Sequence, residues 1–337
     1  MAGSVNTPPN KDIRWEKTTT VNVGADFALF RHRLSGTIEY YNKYSVDLLA
    51  AINGSPTQGF GYTTLMTNNG KMVNRGVEIT LSGEIIRQKD FSWNASLLYA
   101  FNRNKVKHIS VQPSLWDSRI SMPTSYPMVG KPLYGIYAYK WAGLNENGDP
   151  QVYDAENNVT SGPARDYHAL VYCGTTVPIH NASLTNVLRY KGFEFSAMLI
   201  LDAGHKLRSS NIPSINMSNG RITSTAKGIV DRWTQPGDVT DVPRLLFSND
   251  TENFNTHRTE LYRYSDLFVY DASNIRLSNI SLAYRVPAHW CKKISLSGAR
   301  LQFNVENVAT FAFDSKANYD LGGKVKPNYV WGLYLNF

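Results

Sequence analysis

Long stretches of this chain alternate between apolar and polar residues. Between Val21 and Leu29 every second residue is apolar, and Asn22, Gly24 and Asp26 lie between them. Successive side chains of a β-strand point to opposite faces, so this alternation predicts a strand with one apolar face. The same pattern predicts nine strands, over residues 17–29, 33–49, 72–86, 91–102, 181–190, 193–202, 273–286, 294–309 and 329–337.

The connections between these strands alternate between short and long. The strands are mostly longer than the roughly 5–6 residues usual in soluble sheets, and about 9–11 residues are needed to cross a bilayer. The short turns are 30–32, 87–90, 191–192 and 287–293, and the long loops are 50–70, 105–180, 205–272 and 311–328. Outer-membrane barrels have short periplasmic turns and long extracellular loops. We therefore predict an all-β fold, a portion of an antiparallel transmembrane β-barrel with its C-terminus on the periplasmic side.

The number of strands depends on one further stretch, and two of the predicted strands are irregular. The stretch 134–144 also has the composition of a strand. It requires either a second membrane strand before Asn181 or a hairpin outside the membrane, so the predicted count is nine to eleven. Segments 273–286 and 294–309 change their apolar face midway, which a β-bulge in each would explain.

An odd number of strands affects how a barrel can close. Bacterial single-chain barrels have an even number, and an open sheet would leave bare backbone edges in lipid. Residues 1–16 contain no secretory signal and are interpreted as an N-terminal extracellular or linker segment before the barrel part at 17–337. We therefore expect other protein to complete the barrel, whether the chain is a fragment, a second subunit or a processed piece.

Composition excludes several classes of protein. Charged residues are 18% of the 337 residues, below the roughly 25% of soluble domains, and no apolar run reaches the about 18–20 residues of a spanning helix. The net charge of +8 comes from scattered Lys and Arg residues, so no nucleic-acid partner is predicted. Cys173 and Cys291 are isolated from each other and from any pair of His residues, so neither a zinc site nor a disulfide framework is indicated.

Motifs of catalysis and metal binding are not found in the sequence. It contains no nucleophile elbow, phosphate loop or paired-His motif. Residues 145–150 resemble a calcium loop but lack its closing Glu, so a turn is predicted there. We predict neither an enzyme nor a bound cofactor or metal.

Aromatic residues in the long loops are the candidate substrate-binding residues. Their rings could stack on sugar rings or grip peptide side chains from the extracellular side. The alternative is that they pack the loops together or mark the aromatic belt at the membrane interface. The candidates are Trp116, Tyr126, Tyr134, Tyr137 and Trp141, with Tyr139 in the same stretch.

The C-terminal segment alternates up to its last residue. Tyr329, Trp331, Leu333, Leu335 and Phe337 share one face. Terminal residues of soluble domains are usually polar and frayed. The apolar ending therefore indicates either a strand that meets lipid or a last strand that covers a soluble core.

Several motifs, in the same order along the chain, resemble one family. The most telling is DASNIRLSNISLAY at 271–284, followed by Val286 and Pro287. The others are IRWEKTT at 13–19, NVGADF at 22–27, LSGTIEYYNK at 34–43, DLL at 47–49, NGKMVNRGVEI at 69–79, VGKPLY at 129–134, RWTQPGD at 232–238 and VPR at 242–244. Together they resemble the SusC/RagA family of TonB-dependent outer-membrane transporters.

The resemblance implies a barrel of about 22 strands with a plugged lumen, of which this chain is the C-terminal portion. It implies import of oligosaccharides or peptides across the outer membrane of a Gram-negative, Bacteroidota-type cell. A SusD-like surface lipoprotein would form the lid, and TonB would supply energy through the plug. The plug has no counterpart in this chain, so it is expected with the remaining N-terminal barrel portion. A homodimer of transporter complexes is also compatible with the resemblance.

The resemblance extends to the apolar ending. Residues 329–337 are similar to the terminal signal by which outer-membrane barrels are recognised for insertion. Alternation offers one apolar strand face and an open edge for pairing. Phe337 and the aromatic residues before it are therefore expected to take part in barrel insertion.

One other function is open from the residues alone. A soluble, extracellular carbohydrate-binding β protein would need shorter strands and would bury the apolar faces in a core. The membrane hypothesis instead expects Val21, Ile79 and Leu333 to contact lipid tails. Solubility without detergent distinguishes the two hypotheses.

Overall fold

Nine long strands form one antiparallel sheet in which neighbours in the sheet are also neighbours in chain order, and the first and last strands are its edges. The computed structural model describes residues 10–53, 64–111, 118–162, 166–213, 215–218, 221–222, 226–247, 258–321 and 326–337. The sheet strands are β1 (Lys17–Leu29), β2 (Leu34–Asn53), β3 (Thr64–Arg87), β4 (Phe91–His108), β5 (His180–Tyr190), β6 (Phe193–Ala203), β7 (Asn274–Arg285), β8 (Gly298–Ala312) and β9 (Asn328–Asn336). The predicted antiparallel β architecture is confirmed.

The strand bounds differ from the predicted ones at several ends. β3 begins at Thr64 and β4 ends at His108, so both are longer than predicted. β8 begins at Gly298 instead of 294, because helix α3 (Ala288–Lys292) and the turn after it occupy the start of the predicted strand. Alternation alone did not indicate that short helix.

The stretch 134–144 does not join the nine-stranded sheet. Gly135–Tyr139 pairs with Leu170–Thr175, and Trp141–Leu144 pairs with Pro150–Tyr153 in a separate small sheet. Of the two predicted alternatives, strands outside the main sheet are therefore the correct one. In the described part of the chain the main sheet has nine strands.

The pairing register separates an apolar face from a polar face. Residues that lie opposite each other on neighbouring strands point to the same side of a sheet. One such row runs from β1 to β8 through Ala25, Ile38, Ile79, Tyr99, Ala182, Leu201, Ile275 and Phe311. The next row, on the other side, contains Gly24, Glu39, Glu78, Ala100, Asn181, Asp202, Asn274 and Ala312.

Bulges keep the apolar face continuous through β7 and β8. On β7, Leu277 and Asn279 pair with Leu199 and Met198 of β6, which leaves Ser278 as the extra residue. Leu277 and Ile280 consequently point to the same side. On β8, Asn307 and Val308 both lie opposite Ser278, so Val305 and Ala309 stay on the same side. The bulge predicted in 273–286 is therefore confirmed. The face change predicted in 294–309 does not occur within β8, because residues 294–297 precede the strand.

The apolar face of the sheet is exposed. Val21 is 53% exposed, Leu333 is 61% and Trp331 is 78%, while Ile79 is half-buried. A sheet in a soluble sandwich would bury this face against a second layer. Among the described residues the buried hydrophobic clusters lie elsewhere, in the long loops.

Gly76 on the polar face allows β2, β3 and β4 to approach closely. A Cβ atom at this position would lie 2.5 Å from the carbonyl oxygen of Phe101 and against the ring of Tyr41. The contact with Phe101 cannot be relieved by a side-chain movement, because its partner is a backbone atom.

The two longest connections fold together into one unit, which we call the loop unit (residues 118–179 and 204–273, as far as they are described). It contains helices α1 (Ser118–Ser121) and α2 (Arg258–Arg263), while α4 (Asn318–Leu321) follows β8. No helix in the described ranges is long and apolar enough to cross a membrane. Besides the strands named above, the unit has Val159–Thr160, Lys206–Arg208, Asn216–Ser218, Arg221–Ile222, Leu246–Phe247 and Val269–Asp271, and 3-10 turns at Tyr167–Ala169, Lys227–Asp231 and Asp266–Phe268.

Candidate functional site

The polar face of the sheet carries a row of carboxylates. Glu39 and Glu78 lie directly opposite each other on β2 and β3. The row continues through Ala100 and Asn181 to Asp202 on β6. Facing like charges repel each other, so this row favours cationic or hydrogen-bond-donating groups next to it.

A groove of about 290 Å³ lies on the polar face between Glu78 and Asp202. Leu98 and Ile200 contribute apolar walls. Asp202 accepts a hydrogen bond of 2.7 Å from the amide of Asn181, and the guanidinium of Arg276 lies 3.4 Å from its other oxygen. The groove can therefore hold a ligand that combines an apolar surface with hydrogen-bonding groups.

The loop unit is built around aromatic residues. Tyr137 and Tyr139 are 1% and 0% exposed and pack with Leu170 and Leu261. Trp141 packs against this cluster and against a second one that contains Tyr262. These side chains join the two long loops into one hydrophobic core, which gives the unit a fixed shape.

A buried ion pair ties the two loops together. The carboxylate of Asp149 accepts a 2.6 Å hydrogen bond from Arg258, whose side chain is 1% exposed, and also binds Arg244 through both of its oxygens. Arg258 donates further to the carbonyl oxygens of Ile215 and Arg244. Burial lowers the pKa of the Arg258 guanidinium, while Asp149 acts in the opposite direction.

The stretch that resembles a calcium loop is a turn, as predicted. The Asn145 side-chain oxygen accepts hydrogen bonds from the backbone N–H groups of Asn147 and Asp149. The Asp149 carboxylate is used by the two arginines instead of a metal. Among the described residues, no group of three or more His, Cys, Asp or Glu side chains could hold a metal ion.

Burial shifts pKa values in the loop unit toward uncharged forms. Burial raises the pKa of Tyr137, and it raises the pKa of the Cys173 thiol to about 11, with Asp266 acting in the same direction. Burial lowers the pKa of His205, although Asp202 and Asp271 oppose this effect. The thiol and the phenol are therefore protonated at neutral pH, which fits packing roles.

Asp271 is charged at the junction between the loop unit and β7. Burial alone would raise its pKa, but hydrogen bonds from the hydroxyl and N–H of Ser273 and the ammonium of Lys206 hold it at about 2. Lys206 Nζ lies 3.1 Å from the Asp271 carboxylate. This pair connects two short strands of the loop unit, Lys206–Arg208 and Val269–Asp271.

Comparison with known proteins decides the family. The model of the family described as "TonB dependent receptor-like, beta-barrel" matches residues 1–308. The chain belongs to this family. The resemblance to the SusC/RagA family is confirmed. The family places the chain in the outer membrane and among receptors and transporters rather than enzymes.

The similar proteins are much longer than this chain. The TonB-dependent receptor P3 of Formosa agariphila is 25% identical over 96% of this chain and 33% of its own length. SusC of Bacteroides thetaiotaomicron is 25% identical over 88% of this chain and 29% of its own length. The "RagAB peptide transporter" structure matches with a TM-score of 0.77 at 23% identity, over 99% of this chain and 37% of that one. The chain therefore spans about a third of the length of these TonB-dependent receptors.

The candidate substrate-binding aromatic residues differ from one another in how exposed they are. Tyr134 is 51% exposed, Tyr126 and Trp141 are half-buried, and Tyr137 is buried. Trp116 lies outside the described residues. Packing of the loops accounts for the position of Tyr137, and the contact of the others with substrate stays a prediction.

The C-terminal aromatics lie on the apolar face of β9. Leu333 pairs with Leu301, and the ring of Trp331 lies 4.2 Å from that of Phe303. Phe337 is 92% exposed. With Tyr329 and Leu335 on the same side, the segment presents a continuous apolar ridge, and its role in insertion stays a prediction.

The ion pairs that hold the loop unit together were not predicted from the sequence. Asp149 and Arg258 are 109 residues apart, and neither belongs to a motif that would have linked them. Their partnership depends on how two long loops fold together, which periodic patterns do not indicate.

Proposed function

We propose that this chain is the C-terminal part of an outer-membrane nutrient importer. The observation that carries the proposal is the nine-stranded sheet with one exposed apolar face and one polar face, in a chain of the TonB-dependent receptor family. In the proposal the apolar face contacts lipid and the polar face lines the lumen. The soluble carbohydrate-binding alternative has no support from an exposed apolar face of this size.

The proposal assigns a side of the membrane to each end of the sheet. The connections 30–33, 88–90 and 191–192 are short, and 286–297 contains α3. All four lie at one end of the antiparallel sheet, which we assign to the periplasm with the C-terminus. The loop unit at the other end is extracellular. Residues 1–16 form a linker segment, and residues 17–337 form the barrel part.

The length of the relatives suggests where the other parts of the importer belong. About two-thirds of each TonB-dependent receptor named above lies outside the match. We assign the other strands of a barrel of about 22, the plug and the contact with TonB to that part. A SusD-like lipoprotein would cover the loop unit, and two such complexes could form a homodimer.

The proposed substrates are peptides or oligosaccharides. The RagAB structures are those of a peptide transporter or importer, and the shared fold supports a peptide substrate for this chain. Tyr134, Tyr126 and Trp116 are the proposed contact residues, with Tyr137 and Trp141 holding the loops in position. Growth on peptide or oligosaccharide mixtures, with Tyr134→Ala compared with Tyr190→Ala at the opposite end of the sheet, tests this assignment.

Paired lysine substitutions test the two faces. Ile38 lies on the apolar face and Thr37, its neighbour on β2, lies on the polar face. A lysine on a lipid-facing strand position costs about 2–4 kcal/mol near the bilayer midplane. Ile38→Lys should therefore reduce the folded, heat-modifiable protein in outer membranes, while Thr37→Lys should not. Equal amounts of folded protein from the two variants would contradict the proposal.

A further inference from the structure

A second cavity lies on the polar face at the short-turn end of the sheet. Its volume is about 170 Å³, and its charged lining residues are Arg189, Lys191, Glu194, Arg285 and Arg300. Four cations therefore surround one carboxylate. Ala283 also lines the cavity and is 3% exposed, so part of the cavity wall is shielded from water.

The single carboxylate is already shared between two arginines. One oxygen of Glu194 accepts a 2.7 Å hydrogen bond from Arg189, and the other accepts a 3.1 Å hydrogen bond from Arg300. Within the described part of the chain, the guanidinium of Arg285 has no ion pair or side-chain hydrogen bond. The positive charge of the cavity is therefore not neutralised by Glu194.

Arg285 and Arg300 face each other directly across β7 and β8. Like charges on directly opposite residues destabilise a sheet. Two guanidinium groups on one face can, however, hold an anion between them, because each binds a carboxylate or phosphate through parallel N–H groups. An anion in this place would convert a repulsive pair into a binding site.

We propose that Arg285 and Arg300 bind an oxyanion group, a carboxylate or a phosphate, at the short-turn mouth of the lumen. The placement in the lumen rests on the proposed function, whereas the binding itself does not. The same chemistry has two sources, the acid group of a dissolved solute and an acidic side chain of the protein that fills the lumen. The experiment below distinguishes them.

The test uses the complete outer-membrane protein, purified in detergent, with inorganic phosphate as the probe at constant ionic strength. Arg285→Gln removes one of the two facing cations and leaves both hydrogen bonds of Glu194 intact. Arg31→Gln makes the same charge change at the first short turn and is the matched control. We expect the melting temperature of the wild type and of Arg31→Gln to rise with the logarithm of phosphate concentration, and Arg285→Gln to lose this rise.

The second source gives a different result. If an acidic side chain fills the cavity, phosphate leaves the wild type unchanged, and Arg285→Gln melts at a lower temperature than Arg31→Gln. Arg285→Lys, which keeps the charge, then recovers most of the difference. Both results support an oxyanion in the cavity.

Two results would overturn the proposal. In the first, phosphate has no effect on the wild type and Arg285→Gln is as stable as Arg31→Gln or more stable, as expected for an empty cavity between two repelling arginines. In the second, Arg285→Gln keeps the full phosphate response. Because the measurement is of binding and stability, failure of the proposed transport would leave its interpretation unchanged.

Discussion

Replacing Asp149 by Asn should loosen the loop unit without unfolding the sheet. Asp149 is the carboxylate partner of Arg258, whose side chain is 1% exposed. Removing one partner of a buried ion pair costs about 3–5 kcal/mol, because the other charge is left buried. Arg258 keeps its hydrogen bonds to the carbonyl oxygens of Ile215 and Arg244, and Asp149 is itself 20% exposed. We therefore expect a cost of about 3 kcal/mol, at the low end of that range.

Hydrogen exchange measures this cost locally. Each 1.4 kcal/mol is a factor of ten in an equilibrium, so a cost of about 3 kcal/mol corresponds to roughly 100-fold faster exchange through local opening. The informative amides are those of Gly135–Tyr139 and Leu170–Thr175, which pair with each other next to the aromatic core. Amides of β2 and β3 in the main sheet should keep their wild-type rates.

The matched control is Asp154→Asn in the same unit. Asp154 accepts hydrogen bonds from the backbone N–H groups of Glu156 and Asn158, which an Asn side chain can also accept. Exchange in this variant should stay within about twofold of the wild type. If Asp149→Asn exchanges no faster than Asp154→Asn, the buried ion pair does not hold the two loops together.

Three further predictions concern the sheet and its ends. Gly76→Ala should strongly lower the fraction of the protein that is folded and heat-modifiable. Gly298→Ala should not, because a Cβ at that position would lie 3.6 Å from its nearest neighbour, the side-chain nitrogen of Asn336. Phe337→Ala should reduce assembly into outer membranes more than Asn336→Ala does, measured by the same gel assay. Because the folded-state pKa of Asp271 is about 2 against an ordinary 3.8, its stabilisation is complete above about pH 4 and is lost as the pH falls towards 2. The melting temperatures of the wild type and of Asp271→Asn should therefore converge as the pH is lowered from about 4 to 2. A difference in melting temperature that stays constant over this range would contradict the prediction.

The main sheet was predictable because its strands are long and one-sided. From Val21 to Leu29 and from Tyr329 to Phe337, alternation alone located the strand and its apolar face. The change of face at Ser278 also had a recognisable pattern, since one extra residue reverses the alternation. These features depend on period and length, which a sequence shows directly.

The loop unit was not predictable in the same way. Tyr137 was a candidate for substrate contact, but the structure places its ring in a core made by two loops. Helix α3 was missed because its five residues are too few to show a helical period. Asp149 found its arginine partners through tertiary folding, so no local pattern could reveal them. Long-range packing decides such positions, and a single sequence does not encode it in any simple period.

The odd strand number sets a condition on whatever polypeptide joins the two free edges. In a nine-stranded meander, β1 and β9 run in the same direction, so they cannot pair antiparallel with each other. Any complementing segment that closes the ring with antiparallel neighbours must itself contribute an odd number of strands. A fragment with an even number, however well it folds, would leave one parallel seam. Co-expression of segments that differ by a single strand would show which ones restore a closed barrel.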